Sequence, residues 1–158
     1  MTPAIKLLDR QKIKYELHEY LAVDHQDGYG MAAASALGQN PEQVFKTLLA
    51  IVDGQDRKPV VAIVPVSDQL DLKKLAAATG GRKASMADTA LAERATGYVV
   101  GGISPLGQRR KFRTVIDDSA RHFETLFISG GKRGLEIELS LTDLQQLTNA
   151  DIENIAKK

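Results

Sequence analysis

Residues 45 to 66 hold two apolar runs, Phe45 to Val52 and Pro59 to Val66, separated by Asp53-Gly54 and a polar tip. Both runs are rich in aliphatic and β-branched residues, and Asp-Gly tolerates the positive φ angles of a tight connection, so the segment predicts an antiparallel hairpin. At 158 residues the chain has the usual size of one domain and can bury a core around that hairpin without disulfides or metal staples.

Other elements follow from local chemistry. Thr2 and Pro3 predict a helix running through Lys12: Thr caps well, Pro suits the first turn, and Ile5, Leu7 and Leu8 form an apolar stripe. A strand is expected from Lys14 to Tyr20, and an alanine-rich helix from Gly28 to Gly38 ended by its glycine. Asp71 to Thr79 and Asp88 to Ala95 read as further helices, the second capped by Asp88. Tyr98 to Val100, Thr114 to Ile116, Thr125 to Ser129 and Leu135 to Leu139 read as strands, and a helix beginning near Ser140 closes the chain. Helices and strands intersperse without a βαβ rhythm. The expectation is one α+β domain, residues 1–158, with a mixed sheet curled toward a barrel and helices around it.

The chain has no cysteine, which removes thiol nucleophiles, thiolate ligands and disulfides. His18, His25 and His122 have no metal-ligand spacing and stand in no local motif with a nucleophile, so neither metal nor cofactor is expected. There is no run of about 18 apolar residues and no basic-then-apolar leader, which predicts a cytoplasmic protein without membrane attachment. The net charge of +1 says nothing of nucleic acid, but from Gly107 to Gly134 seven Lys or Arg stand against three acids.

Lys46 shares one face of the first hairpin strand with Leu48, Ala50 and Val52, while Phe45, Thr47, Leu49 and Ile51 occupy the other. Neither face reads as solvent, so Lys46 either snorkels from the sheet end or reaches into a polar cleft. Between Gly97 and Gly107, the paired Gly101 and Gly102 permit positive φ and close backbone approach, and Pro105 fixes the turn after them. Such a loop is either an ordinary turn or one that aims successive amides at an oxyanion or phosphate. Ser129 to Gly134 contains Lys132 and Arg133 but lacks the GxxxxGK[ST] spacing, which excludes a nucleotide triphosphatase. The two cations are phosphate contacts or solvated charge. Ser104 has no G-x-S-x-G context and no recognisable base, so no protein nucleophile is evident.

Several motifs run in order through the chain: Thr-Pro-Ala at the start, Leu-His-Glu-Tyr ending at Tyr20, Val-Phe-Lys-Thr-Leu-Leu around Lys46, and Leu-Asp-Leu-Lys-Lys at Leu70. They continue with Met-Ala-Asp at Met86, Thr-Gly-Tyr-Val-Val-Gly-Gly-Ile-Ser-Pro-Leu-Gly-Gln from Thr96, and Ser-Gly-Gly-Lys-Arg-Gly-Leu from Ser129. In this order the chain resembles the YbaK family of Cys-tRNA(Pro) deacylases, relatives of the editing domain in bacterial prolyl-tRNA synthetases. The resemblance implies that fold, and an aminoacyl-tRNA deacylase that strips mischarged Cys-tRNA(Pro). It implies an essential Lys46 and a Gly101 that positions the aminoacyl ester, with Tyr20, Phe45, Thr47 and Ser129 lining the pocket. Ile103, Ser104, Pro105, Gly130 and Glu136 are placed with them as substrate-binding residues; Glu136 stands where relatives often carry Asp.

The same resemblance implies a substrate-assisted reaction, in which the cysteine thiol attacks its own carbonyl and leaves as a thiolactone. Lys46 would then anchor the substrate electrostatically, and the backbone of Gly101 and Gly102 would orient it and bind the oxyanion. Arg109, Arg110, Lys111, Lys132 and Arg133 are the candidates for RNA backbone contacts. Prolyl-tRNA synthetase, bound with the charged tRNA, is the expected source of tRNA selectivity. A deacylase for other small aminoacyl-tRNAs and a non-catalytic tRNA- or synthetase-binding module are the alternatives.

Overall fold

The computed structural model describes residues 1–21 and 28–158; His25 lies outside them. Helix α1 (Pro3–Arg10) starts on Thr2, whose hydroxyl accepts the Ile5 amide at 3.3 Å, and buries Ala4, Ile5 and Leu8. Strand β1 (Glu16–Glu19) follows, then α2 (Tyr29–Leu37), which ends where Gly38 takes a φ of 66°. The expected hairpin forms from β2 (Phe45–Val52) and β3 (Val60–Pro65), antiparallel from Phe45 opposite Pro65 to Ala50 opposite Val60. At its tip Asp53 and Gly54 both have positive φ, as the sequence required.

After β4 (Gln69–Leu70) comes α3 (Leu72–Ala78), capped by the Asp71 carboxylate on the Lys74 amide at 3.1 Å. Strand β5 (Ala84–Met86) precedes α4 (Thr89–Thr96), where Asp88 accepts the Leu91 amide at 2.7 Å. The remainder comprises β6 (Thr114–Asp117), a 3-10 turn (Asp118–His122), β7 (Thr125–Ser129), β8 (Leu135–Ser140), α5 (Leu141–Thr148), β9 (Asp151–Glu153) and β10 (Ala156–Lys157).

The strands make a mixed α+β architecture. A five-stranded sheet has the order β5-β2-β3-β6-β9, antiparallel on the β5 side and parallel from β3 to β9. A three-stranded antiparallel sheet has the order β1-β8-β7, and β10 pairs with β4. Among the described residues these ladders stay open. What joins the two larger sheets is a single parallel bridge between Val44 and Phe127, flanked by the Phe127 amide on the Gln43 carbonyl at 3.1 Å. The main core spans that seam: Phe45, Leu49, Ile63 and Ile116 from one sheet meet Leu126, Ile128, Ile137 and Leu139 from the other, closed by Leu8 and Leu144 of the helices. Each such side chain stabilises the fold by about 1.5–3 kcal/mol on burial. On the far face of the larger sheet, Ala50, Ala62, Val64 and Val115 pack against Leu75 and Ile155.

Two expectations are corrected. Tyr98 to Val100 is no strand: Gly97 ends α4 with a φ of 83°, and Tyr98 is buried because its hydroxyl anchors the next loop, donating to the Leu106 carbonyl at 2.6 Å. Burial pushes the phenol pKa up to about 12, against a smaller lowering by the Ala4 backbone. The final helix does not close the chain either. Asn149 turns it at a φ of 54°, and β9 returns to pair in parallel with β6. No helix among the described residues is long and apolar enough to cross a membrane.

Candidate active site

A cleft of about 300 Å³ opens at the seam between the sheets. Strand β2 contributes Phe45, Lys46, Thr47, Leu48 and Leu49; the smaller sheet contributes Ser129 and Glu136; the chain after β1 contributes Tyr20. Helices α2 and α4 add Tyr29, Gly30, Thr89 and Ala92, and the loop after α4 adds Val100, Gly101 and Ile103. Eight of the sequence-predicted residues thus converge: Tyr20, Phe45, Lys46, Thr47, Gly101, Ile103, Ser129 and Glu136.

The polar groups here are under-partnered. Lys46 forms no side-chain hydrogen bond or ion pair among the described residues, and its desolvation lowers the ammonium pKa, partly offset by the charge of Asp68. The Thr47 hydroxyl is buried with no hydrogen-bond partner. Glu136 is 5% exposed, and burial pushes its carboxyl up to about 8, so at neutral pH it is chiefly the neutral acid. Burial also raises the Tyr20 phenol, opposed by the Gly134 backbone and helped, to a lesser extent, by the charge of Glu136.

The glycine loop is a type II turn. The Gly102 amide donates to the Val99 carbonyl at 2.8 Å, and Gly101, at its third position, has a φ of 89°. Three ties hold this turn in place. Glu93 accepts the Val100 amide at 2.9 Å; Arg133 Nε donates to the Val100 carbonyl at 2.9 Å; and the Arg133 guanidinium stacks 4.2 Å over the Tyr29 ring. A Cβ on Gly101 would stand 2.7 Å from Tyr29, so glycine is required there by space as well as by φ. Of the consecutive amides of Val100, Gly101 and Gly102, only that of Gly101 has no described acceptor. The oxyanion role expected of Gly102 is therefore corrected: its amide is committed to the turn, and its α-carbon packs on the Lys132 and Arg133 backbone.

Three more predicted contacts lie outside the cleft. Ser104 is wholly buried, its Oγ accepting the Leu106 amide at 3.3 Å, and Pro105 lines a different cavity. Gly130 closes the base of its loop, donating to the Leu135 carbonyl and accepting the Thr2 hydroxyl. The five basic candidates divide into two groups. Arg133 and Lys132 pack on the Gly101–Gly102 turn, whereas Arg109, Arg110 and Lys111 border the cavities beyond α4.

Sequence reasoning missed Tyr29, Gly30, Met86, Thr89 and Val100. Only Thr89 left a signal, its spacing of three from Ala92 on one helix face. Strand pairing also gathers Glu16, His18 and Glu138, with His18 Nε2 3.0 Å from a Glu138 oxygen, a contact the spacing of histidines alone did not reveal.

No lining residue pairs a nucleophile with a base. Ser129 Oγ accepts the Gly131 amide at 3.2 Å, and no described histidine faces the cleft. Fold and cleft together define a class: an α+β protein with a cleft at the seam of two sheets, lined by a partly buried lysine, a buried glutamic acid and a glycine turn. The family model of the aminoacyl-tRNA editing domain matches residues 25–147. Over 99% of this chain and 94% of the relative, the sequence is 35% identical to the "Putative Cys-tRNA(Pro)/Cys-tRNA(Cys) deacylase EbsC" of Enterococcus faecalis. It is 26% identical to the "Multifunctional Ser/Thr-tRNA deacylase ProXp-y" of Escherichia coli K12, covering 97% and 90% of the two chains. In fold it is similar, at a TM-score of 0.79 and 19% identity over 98% and 93% of the chains, to a crystal structure of "a putative trans-editing enzyme for prolyl tRNA synthetase". The chain belongs to the aminoacyl-tRNA editing domain family, the YbaK family, and is an enzyme of that class.

Proposed function

We propose that this protein acts as a single cytoplasmic domain, residues 1–158, that deacylates Cys-tRNA(Pro) in trans. The observation that carries the reading is a cleft in which, among the described residues, Lys46 and Thr47 have no side-chain hydrogen-bond partner and no nucleophile is paired with a base. A synthetase pocket built for proline discriminates poorly against cysteine, since small apolar differences are worth only about 1–3 kcal/mol, and a second hydrolytic site removes the error. The ester is already activated, so orientation and charge stabilisation supply much of the rate.

In the reaction the substrate's thiol sulfur attacks its own carbonyl carbon, the carbon–sulfur bond forms, and the bond to the ribose oxygen breaks. The thiol proton ends on that oxygen, and the amino acid leaves as a thiolactone. Lys46 holds the ester region or the terminal adenosine by charge, the Gly101 amide binds the developing oxyanion, and Thr47 and neutral Glu136 supply hydrogen bonds to the aminoacyl group. Tyr20, Phe45, Ile103 and Ser129 shape its surroundings. Prolyl-tRNA synthetase, holding the charged tRNA, supplies the selectivity for tRNA(Pro) that backbone contacts cannot.

A second reading, deacylation of other small aminoacyl-tRNAs, is favoured by the similarity to a Ser/Thr-tRNA deacylase. One experiment addresses both: offering cysteinyl-, seryl-, threonyl- and alanyl-tRNA to wild type and to Lys46→Ala. The cysteinyl ester should be lost fastest, and the variant should lose on the order of 10²-fold or more in rate. Equal rates on all four esters would overturn the thiol mechanism. A wild type that binds tRNA but turns over none of them would be the non-catalytic module.

A further inference from the structure

We propose that a groove of arginines on the far side of α4 binds the phosphates of the tRNA acceptor end, an inference that rests on the deacylase reading. Helix α4 has two working faces. Thr89 and Ala92 line the cleft, whereas Leu91, Arg94 and Ala95, a fraction of a turn around the helix, line a separate cavity of about 310 Å³. Arg57 from the β2–β3 connection and Arg109 and Arg110 from the loop before β6 complete that cavity, over a floor that includes Pro59 and Phe112. Four arginines thus meet one acid, Asp56.

All four arginines are exposed, and none forms an ion pair with a described carboxylate, in contrast to Arg113 nearby, which pairs with Asp151 at 3.4 Å. They are also partly preorganised. Arg110 donates to the Arg57 carbonyl at 2.8 Å and lies 5.1 Å over the Phe112 ring, and the Arg109 side chain packs against Gly97. Anchored guanidinium groups with no internal carboxylate match phosphate oxygens in charge and in fork geometry. The strip continues into an adjoining cavity of about 290 Å³, which shares Arg110 and Phe112 and adds Arg10 and Lys111.

Placement decides in favour of RNA over an acidic protein. One helix, about 10–12 Å across, separates the groove from the cleft. A strand whose terminal ester enters the cleft carries its preceding phosphates across α4 and onto these arginines. Such contacts give affinity and register without reading sequence.

The test uses the double variant Arg57→Gln/Arg94→Gln, two exposed side chains outside core and cleft. The readout is kcat/KM for charged tRNA divided by kcat/KM for the same amino acid esterified to adenosine, together with tRNA affinity across a salt series. The ratio should fall about tenfold at low salt, and the slope of log affinity against log salt should shrink by about 1 per contact removed. An unchanged ratio and slope would overturn the groove. So would an equal drop from Arg121→Gln/Lys157→Gln, which removes the same charge elsewhere, or loss of synthetase binding with tRNA affinity intact. Should the wild type hydrolyse neither ester, the deacylase reading fails, while the salt slope for uncharged tRNA still decides the groove.

Discussion

Asp117 and Glu136 are buried to nearly the same depth, at 2% and 5% exposure, and their surroundings differ in kind. Asp117, at the end of β6, accepts the amides of Ile155 and Ala156 at 2.9 and 3.0 Å and that of Ser119 at 3.2 Å. It fastens the C-terminal segment to the larger sheet. Glu136, the second residue of β8, has no described hydrogen-bond partner and responds by holding its proton. The first carboxylate is answered by the fold; the second is left for whatever enters the cleft.

The largest expected effect falls on the answered group. Asp117→Ala strands three amides and should lower unfolding stability by about 3 kcal/mol or more, read by urea denaturation; a loss below about 1 kcal/mol would break the contrast. Glu136 should act on stability through pH. Its folded value of about 8 lies above the ordinary 4.5, so the folded state holds a proton that the unfolded state releases. That stabilisation is complete below pH 4.5 and is lost as pH rises through about 8. Glu136→Gln removes the dependence, and should stabilise the protein at pH 8 relative to its effect at pH 4 by on the order of a few kcal/mol. Parallel melting curves for variant and wild type across that range would mean that Glu136 is answered after all. The smallest effect belongs to Thr47→Val. Removing an unpartnered hydroxyl should change stability by no more than about 1 kcal/mol, while deacylation of the preferred ester drops severalfold; an unchanged rate would take Thr47 out of substrate binding.

What the sequence made legible is what local chemistry dictates. The β2–β3 hairpin, the caps at Thr2 and Asp88, and the glycine stop at Gly38 each depend on a few adjacent residues, and each stands within a residue or two of its expected place. Lys46 and Gly101 were individually ambiguous. Their meeting in one cleft depends on two sheets docking, which no period along the chain encodes. The commitment of the Gly102 amide depends on the turn that Glu93 and Arg133 hold from opposite sides. Strand β9 was missed because three residues after a helix carry almost no pattern, and its parallel partner β6 lies more than thirty residues upstream. Arg57 and Arg94 escaped for the same reason: each is an ordinary surface arginine until folding sets it beside Arg109 and Arg110.

The single bridge between Val44 and Phe127 lies two residues before Lys46 and two residues before Ser129, at the foot of the cleft. Each sheet keeps its own ladder on either side of it. A slight rotation of one sheet against the other would widen or narrow the cleft without breaking either ladder. Because the main core spans that same seam, any such rotation also repacks Phe45 and Leu49 against Leu126 and Ile128, so the shape of the cleft and the cohesion of the two sheets rest on one set of contacts.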